Sequence, residues 1–534
     1  METAPALSHA ARSGTAIGAA QLLSYGASFL LNIAIAATFG AARTTDAYFM
    51  ATSTAELLAK ILLGGALTSV LLPLFVEHLA KNDARRAWAL FSSLLSLAVI
   101  AFFVLGSILQ VFAEPLVTFL APGFSGETRS LTTLLLRLVF PAYLLSFLAD
   151  LAMVPLHAQR RFGLPALSRL VVPTITLLAL LTLAGHVGIR VLVWGTFSGT
   201  VVQLSILLIA LRRFGYVPTF LPHVKNPDVR RALLLTLPFV LSILAAHGAG
   251  IVYRILVSLE PEGSLASLKF GERIFQMANV LFIGTIVQVA FPAFARAVST
   301  SPEEAQQRLQ TAIRLVTFVG IPLTIGLILL RTPLVRVLYE RGAFTAEDTA
   351  ATAALVPFFV LGLLGNGWSS LLGHFVLAFQ ETRMAVAVSV ALQAVAAACF
   401  VLLVPPLGVT GLALVSGLGP FVLTALYLWV FRHRTPRPGT LFFNARTFRL
   451  ILAGGICALA VTAIRVLAQS FPLTKARDAS MLIAAGAFGG TAYVLAAWLL
   501  RVPETGIVLR LLRHEFTRIL GFRFGRKARP ANAA

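Results

Sequence analysis

A few side chains able to bind or react lie inside the apolar stretches of this sequence, where they are least expected. In SLASLKFGERIFQMANVLFIG (264–284), Lys269, Glu272 and Arg273 are the ionisable residues in a largely apolar run. Lys269 and Arg273 are four residues apart, so a helix puts them on one face, where like charges repel. Glu272, three residues from Lys269, can neutralise it, which leaves Arg273 to meet an anion. Arg254 lies in the preceding apolar stretch, and Lys60 in an earlier one, four residues after Glu56 in the favourable orientation for an internal pair. Ionisable groups at membrane depth are costly and mark function by default. A cationic cavity built from Arg273, Lys269, Arg254 and Lys60 suits an anionic ligand, because a guanidinium binds phosphate oxygens in a bidentate fork. The competing reading is that these cations pair with carboxylates or extend to the lipid surface. Glu272, Glu56, Asp46 and Asp150 are then gating or structural polar groups. Thr45-Asp46 is expected to cap the helix it begins, and Thr345-Ala-Glu-Asp348 reads as a capping box.

Catalysis finds no support. No Gly-Lys dipeptide occurs, which excludes a Walker A phosphate loop, and there is no G-x-S-x-G elbow or H-E-x-x-H pair. No enzyme activity, cofactor or metal site is expected. The two cysteines, Cys399 and Cys457, both fall in apolar stretches, so no disulfide framework is expected.

These residues need a scaffold, and composition names its class. Of 534 residues, 58% are hydrophobic and 12% charged, and the mean hydropathy is +0.88. That is too much apolar surface for a soluble core, whereas a stretch of about 20 apolar residues spans a bilayer. Spans are expected near 15–39, 47–75, 87–112, 130–156, 164–186, 188–212, 232–257, 266–297, 309–330, 350–378, 382–404, 410–432, 449–468 and 479–500. Backbone groups in lipid must be satisfied within the segment, so the spans are helices, and the fold class is an all-α polytopic membrane protein with about fourteen of them.

The net charge of +22 is read as topology, with no nucleic acid involved. Basic residues collect in alternate loops, at Lys81–Arg86, Arg160–Arg161, Arg212–Arg231 and Arg432–Arg449, while 258–265 carries only Glu260 and Glu262. The positive-inside rule then places both termini in the cytoplasm of a bacterial inner-membrane protein. Beyond residue 500, apolar Ile507, Leu511 and Phe516 alternate with Arg510, Arg513 and Arg518. Such a tail is expected to lie on anionic lipid headgroups.

The chain also repeats itself. PLVTFLAPGFSGETRSLTTLLLRLVFPAYLL at Pro115 answers PLVRVLYERGAFTAEDTAATAALVPFFVLGLL at Pro333, LHAQRRF at Leu156 answers LAFQETR at Leu377, and GIRVLVWGTFSG at Gly188 answers GVTGLALVSGLG at Gly408. Three matches in order, at nearly constant offset, argue for a duplicated six-helix unit. An even-numbered unit keeps its orientation, so the repeats are parallel. The expected organisation is an N-lobe over 1–213, a cytoplasmic linker over 214–231, a C-lobe over 232–434, a helix pair over 435–500 and the basic tail over 501–534. Two bundles that rock give alternating access, and no filter-like loop indicates a channel.

Several stretches resemble one known family. LYERGAFTAEDT (338–349), FLAPGF (119–124), LLRLVFP (135–141), FGAARTTDAYF (39–49) and GERIFQMANVLFIGTIVQVAFPAFAR (271–296) are similar to the MurJ/MviN family. These are the lipid II flippases of the multidrug/oligosaccharidyl-lipid/polysaccharide exporter superfamily. The resemblance implies fourteen helices in two six-helix lobes plus a terminal pair. It also implies movement of an undecaprenyl-diphosphate-linked glycan, lipid II first among them, from the cytoplasmic to the outer leaflet during cell-wall synthesis. The family's span-eight arginine falls on Arg273, its preceding acid on Glu272, and its span-two aspartate on Asp46. The span-one arginines fall on Tyr25 and Leu31, and the span-two arginine pair falls on Ala59-Lys60. Other readings of the residues are a flippase for another lipid-linked polysaccharide unit, a drug or cation antiporter using Asp150 or Glu272, and a non-transporting membrane scaffold. The oligomeric state stays open.

Overall fold

The computed structural model describes residues 4–506 except 63–65, 218, 221, 224, 380, 434–440 and 443. Among them there are helices and no strands. The first helices are α1 (Ala4–Phe39), α2 (Arg43–Leu62), α3 (Ala66–Ala80), α4 (Ala84–Leu120), α5 (Gly126–Ala158), α6 (Gly163–Ser168), α7 (Val171–Val187) and α8 (Arg190–Arg212). There follow α9 (Pro227–Ala246), α10 (Gly248–Ser258), α11 (Ser264–Ala278), a π-helical segment (Asn279–Gly284), α12 (Thr285–Thr300), α13 (Pro302–Leu329) and α14 (Arg331–Tyr339). The last are α15 (Ala346–Ala378), α16 (Thr382–Leu407), α17 (Val409–Val430), α18 (Ala445–Ala468) and α19 (Lys475–Leu499).

Twelve helices among the described residues are long and apolar enough to cross a bilayer. Two expected spans differ. The stretch 47–75 is carried by α2 and α3, and 232–257 by α9 and α10. The reason is chemical in one case and conformational in the other. Helix α2 carries Arg43, Asp46, Glu56 and Lys60 in 20 residues. Between α9 and α10, His247 leaves helical geometry (φ −111, ψ 5). The break at His247 is of the kind with which transporters build sites, since a broken helix brings polar backbone to membrane depth; residues 63–65, between α2 and α3, lie outside the described residues. The expected basic tail lies, from residue 507 onward, outside the described residues.

The chain forms two compact units. The first comprises Met1–Met277, Leu338–Phe359 and Val386–Gly419. One of its cores interlocks α3, α4, α5, α8 and α9 through Phe75, Phe91, Leu151 and Leu207, all buried. Trp88 and Tyr216 pack edge-on or tilted against Phe75 and Phe91 in the same core. The second unit comprises Ala278–Val337, Val360–Ala385 and Pro420–Ala534. There α13, α18 and α19 close around Phe318, Cys457 and Tyr493, and the Tyr493 hydroxyl donates to the Phe318 carbonyl at 2.9 Å. A buried charge cluster holds the start of α19, where Asp478, fully buried, accepts from Arg336 at 2.8 Å and from Arg477 at 2.7 Å.

Side-chain caps close two helix starts, the first of them expected from the sequence. Thr345 and Asp348 bond reciprocally, backbone to side chain, at 2.9 and 3.2 Å, completing the capping box ahead of α15. Ser301 caps α13 by accepting from Glu304 N at 3.1 Å, with Pro302 at the first helical position.

Candidate functional site

Helix α11 carries the site, and two constraints fix it. Its rear face is apolar: Phe270 is fully buried and packs on Phe49, Tyr339 and Phe344. Its start is held by Asp46 of α2, whose carboxylate accepts from Gly263 N at 2.6 Å and Ala266 N at 2.7 Å. The expectation that Asp46 caps its own helix is corrected here. It caps α11, some 217 to 220 residues away. The first amides of a helix lack intrahelical partners and sit at the positive end of its dipole, so a carboxylate oxygen is a favourable acceptor there.

Asp46 belongs to a wider joint of turns. Arg43 bridges Glu262 at 2.8 Å and Glu127 at 3.2 Å. Gly123 N donates to Ser258 Oγ at 3.1 Å, and Ala343 N to the Ala37 carbonyl at 2.8 Å. Two glycines allow the close approach. There is no room for a side chain at either: a Cβ on Gly263 (φ +84) would lie 2.3 Å from the Ala41 oxygen, and one on Gly342 (φ +59) 2.1 Å from that of Ala37. In the loop between α10 and α11, burial pushes the Glu260 carboxyl above its ordinary pKa, partly offset by the Val409 amide.

Beyond the joint, α2 and α11 line a cavity of about 610 Å³ with contributions from α1, α5, α7 and α8. Five charged side chains face it: Glu56, Lys60, Lys269, Glu272 and Arg273. Lys60 pairs with Glu56 at 2.6 Å, and Lys269 with Glu272 at 2.9 Å. Gln276 donates to Glu272 at 2.9 Å and accepts from Arg273 at 3.0 Å. Arg273 has no ion-pair partner among the described residues, so it supplies the cavity's one uncompensated charge. Lys269 also stands 5.9 Å from the Tyr253 ring, within cation–π range.

Of the residues singled out from sequence, Arg273, Lys269, Lys60, Glu272 and Glu56 meet in this cavity. Arg254 does not line it; its guanidinium donates to the carbonyls of Gly250 (2.6 Å) and Ser53 (2.7 Å), tying α10 to α2. Asp150 lies in an adjoining cavity, 3.6 Å from Arg169. Sequence reasoning missed Gln276, although its spacing of three from Arg273 and four from Glu272 was visible. It also missed Tyr48, Tyr143 and Thr196, which line the cavity from three other helices. No local pattern marks those. The position matched to a family arginine, Leu31, and its neighbour Asn32 do line the cavity.

Fold and site together define a class: a multi-pass, all-helical membrane protein with a charged cavity enclosed by its helices. The sequence profile of the family "Lipid II flippase MurJ" matches residues 35–479, and the chain belongs to that family. Among curated relatives, the lipid II flippase MurJ of Burkholderia cenocepacia is 24% identical over 477 residues, covering 86% of this chain and 92% of that protein. The probable lipid II flippase MurJ of Rhizobium meliloti is 27% identical over 490 residues, covering 87% and 88%. Among solved structures, a lipid II flippase MurJ in an inward closed conformation superposes with a TM-score of 0.77 at 20% identity, covering 91% of this chain and 98% of that one. An inward-facing multidrug resistance MATE transporter of the MOP superfamily gives a TM-score of 0.64 at 13% identity, covering 76% and 94%. At these identities the structures speak to the fold.

Proposed function

We propose that this protein flips a polyprenyl-diphosphate-linked glycan, lipid II, from the cytoplasmic to the outer leaflet by alternating access. The observation that carries the reading is Arg273: in a chain of this family, the one unpaired cation of the cavity sits on the helix that the outer joint holds. With both lysines already neutralised by Glu56 and Glu272, an entering diphosphate meets Arg273 first and can then draw Lys269 and Lys60 from their carboxylates. The bidentate fork of a guanidinium suits phosphate better than an ammonium does.

The proposed orientation has both termini in the cytoplasm, with the basic loops inside. The turns of the joint alternate with those loops along the chain, so the joint closes the outer end and the cavity opens toward the cytoplasm. Flipping requires the joint to part. The two six-helix halves, 1–213 and 232–434, are the bodies proposed to rock, with the pair over 435–500 added to them. The basic tail over 501–534 is proposed to rest on anionic lipid. Asp150 and Glu272, the residues a cation antiporter would use, stand beside Arg169 and Lys269, which disfavours that alternative.

Purified protein in liposomes tests the reading. Lipid II should reach the outer leaflet, Arg273→Ala should abolish movement at normal protein levels, and Arg273→Lys should restore it only weakly. Full transport by Arg273→Ala would remove the role given to that residue. Failure of the unmodified protein to bind or move lipid II would remove the function.

A further inference from the structure

A second cavity adjoins the first. It measures about 540 Å³ and shares Glu56, Lys60 and Tyr143 with the cationic cavity as a common wall. Its charge character differs. The cationic cavity carries one uncompensated positive charge, whereas the second adds one carboxylate, Asp150 of α5, and one guanidinium, Arg169, ahead of α7. These two stand 3.6 Å apart, and each keeps more than half its side chain exposed, at 54% and 56%. At 3.6 Å they form a loose ion pair, longer than a direct hydrogen bond, so both keep hydrogen-bonding positions open to a ligand. Phe147, Met153 and Leu72 supply apolar wall around them, and His157 stands at the same cavity, stacked on Phe162 at 5.4 Å between ring centres.

A net-neutral cavity that presents a carboxylate and a guanidinium side by side is complementary to a ligand that is itself dipolar. An anion alone would be repelled by Asp150, and a cation alone by Arg169. A group bearing an ammonium and a carboxylate satisfies both, replacing one loose ion pair by two charge-assisted contacts. We propose that this second cavity is a subsite for an amino-acid part of the transported headgroup, carrying both amino and carboxyl functions, while the diphosphate occupies the cavity at Arg273. The proposal rests on the flippase reading above and adds a specificity element to it: the shared wall sets the diphosphate and the amino-acid part in neighbouring chambers of one site.

The test compares two ligands on the full-length protein in detergent or nanodiscs: lipid II, and the same lipid with its peptide removed. Wild-type protein should bind lipid II more tightly than the peptide-free lipid. Asp150→Asn and Arg169→Gln should each erase that difference, costing about tenfold or more in affinity for lipid II. Affinity for the peptide-free lipid should stay as in wild type, which also reports that the variants are folded. Thermal stability separates a structural pair from a ligand site: a fall in melting temperature with equal weakening of both lipids in the two variants would overturn the proposal, and loss confined to lipid II in proteins of wild-type thermal stability supports it. Equal wild-type affinity for the two lipids would overturn the subsite and leave the flippase reading intact. Binding of neither lipid by wild type would overturn the flippase reading and the subsite with it.

Discussion

Replacing Asp46 isolates the contact that holds the cavity's principal helix. Its carboxylate is 3% exposed and accepts two short bonds, at 2.6 Å from Gly263 N and 2.7 Å from Ala266 N. Asp46→Ala leaves both amides buried without acceptors, at about 1–3 kcal/mol each. The charge lost from the helix start adds up to about 2 kcal/mol in a buried geometry. Against this stands the relief of no longer burying a carboxylate, so a net cost of about 3 kcal/mol is expected. Asp46→Asn retains one acceptor oxygen and turns a donor toward the other amide, so its cost should fall between. Hydrogen–deuterium exchange reads the effect locally. A loss of about 3 kcal/mol of local stability corresponds to roughly a hundredfold faster exchange, and it should appear in peptides covering 260–270. If exchange there is unchanged while 43–49 accelerates, Asp46 acts on its own helix after all and the long-range cap is wrong.

Other perturbations probe the rest of the molecule. Lys60→Ala should reduce lipid II transport much less than Arg273→Ala in the same liposome assay, because Glu56 already neutralises Lys60 at 2.6 Å. Asp478→Ala should strip two arginines of their shared, fully buried partner and cost about 3–5 kcal/mol; a large fall in thermal stability of the purified protein checks it, and an unchanged melting curve counts against the cluster. Glu260 gives a pH signature. Its pKa is raised by burial, so protonation favours the fold; that contribution is complete below the unfolded value and is lost as pH rises through the folded one. Glu260→Gln should therefore match wild-type stability at acid pH and exceed it at neutral pH, as followed by thermal scans across pH.

The class of the protein was written in the sequence because a bilayer imposes a one-dimensional rule. A helix that satisfies its own backbone needs only length and apolar composition, so most spans stood out directly. Local geometry was equally legible: Glu56–Lys60 and Lys269–Glu272 pair at helical spacing, and Thr345 and Asp348 close their capping box, because each contact lies within one turn. The misreadings came where partners are remote. Asp46 resembled a local cap, yet the amides it holds belong to a helix more than 200 residues away. Arg254 resembled a cavity cation, yet carbonyls of its own helix and of α2 take its guanidinium. Tyr48, Tyr143 and Thr196 had no mark at all, since each is an ordinary polar residue on its own helix and becomes a cavity wall only when six helices converge. Composition and spacing determined that charged groups lie at membrane depth; tertiary packing decided which of them were already neutralised, and so left Arg273 as the one free to meet an anion.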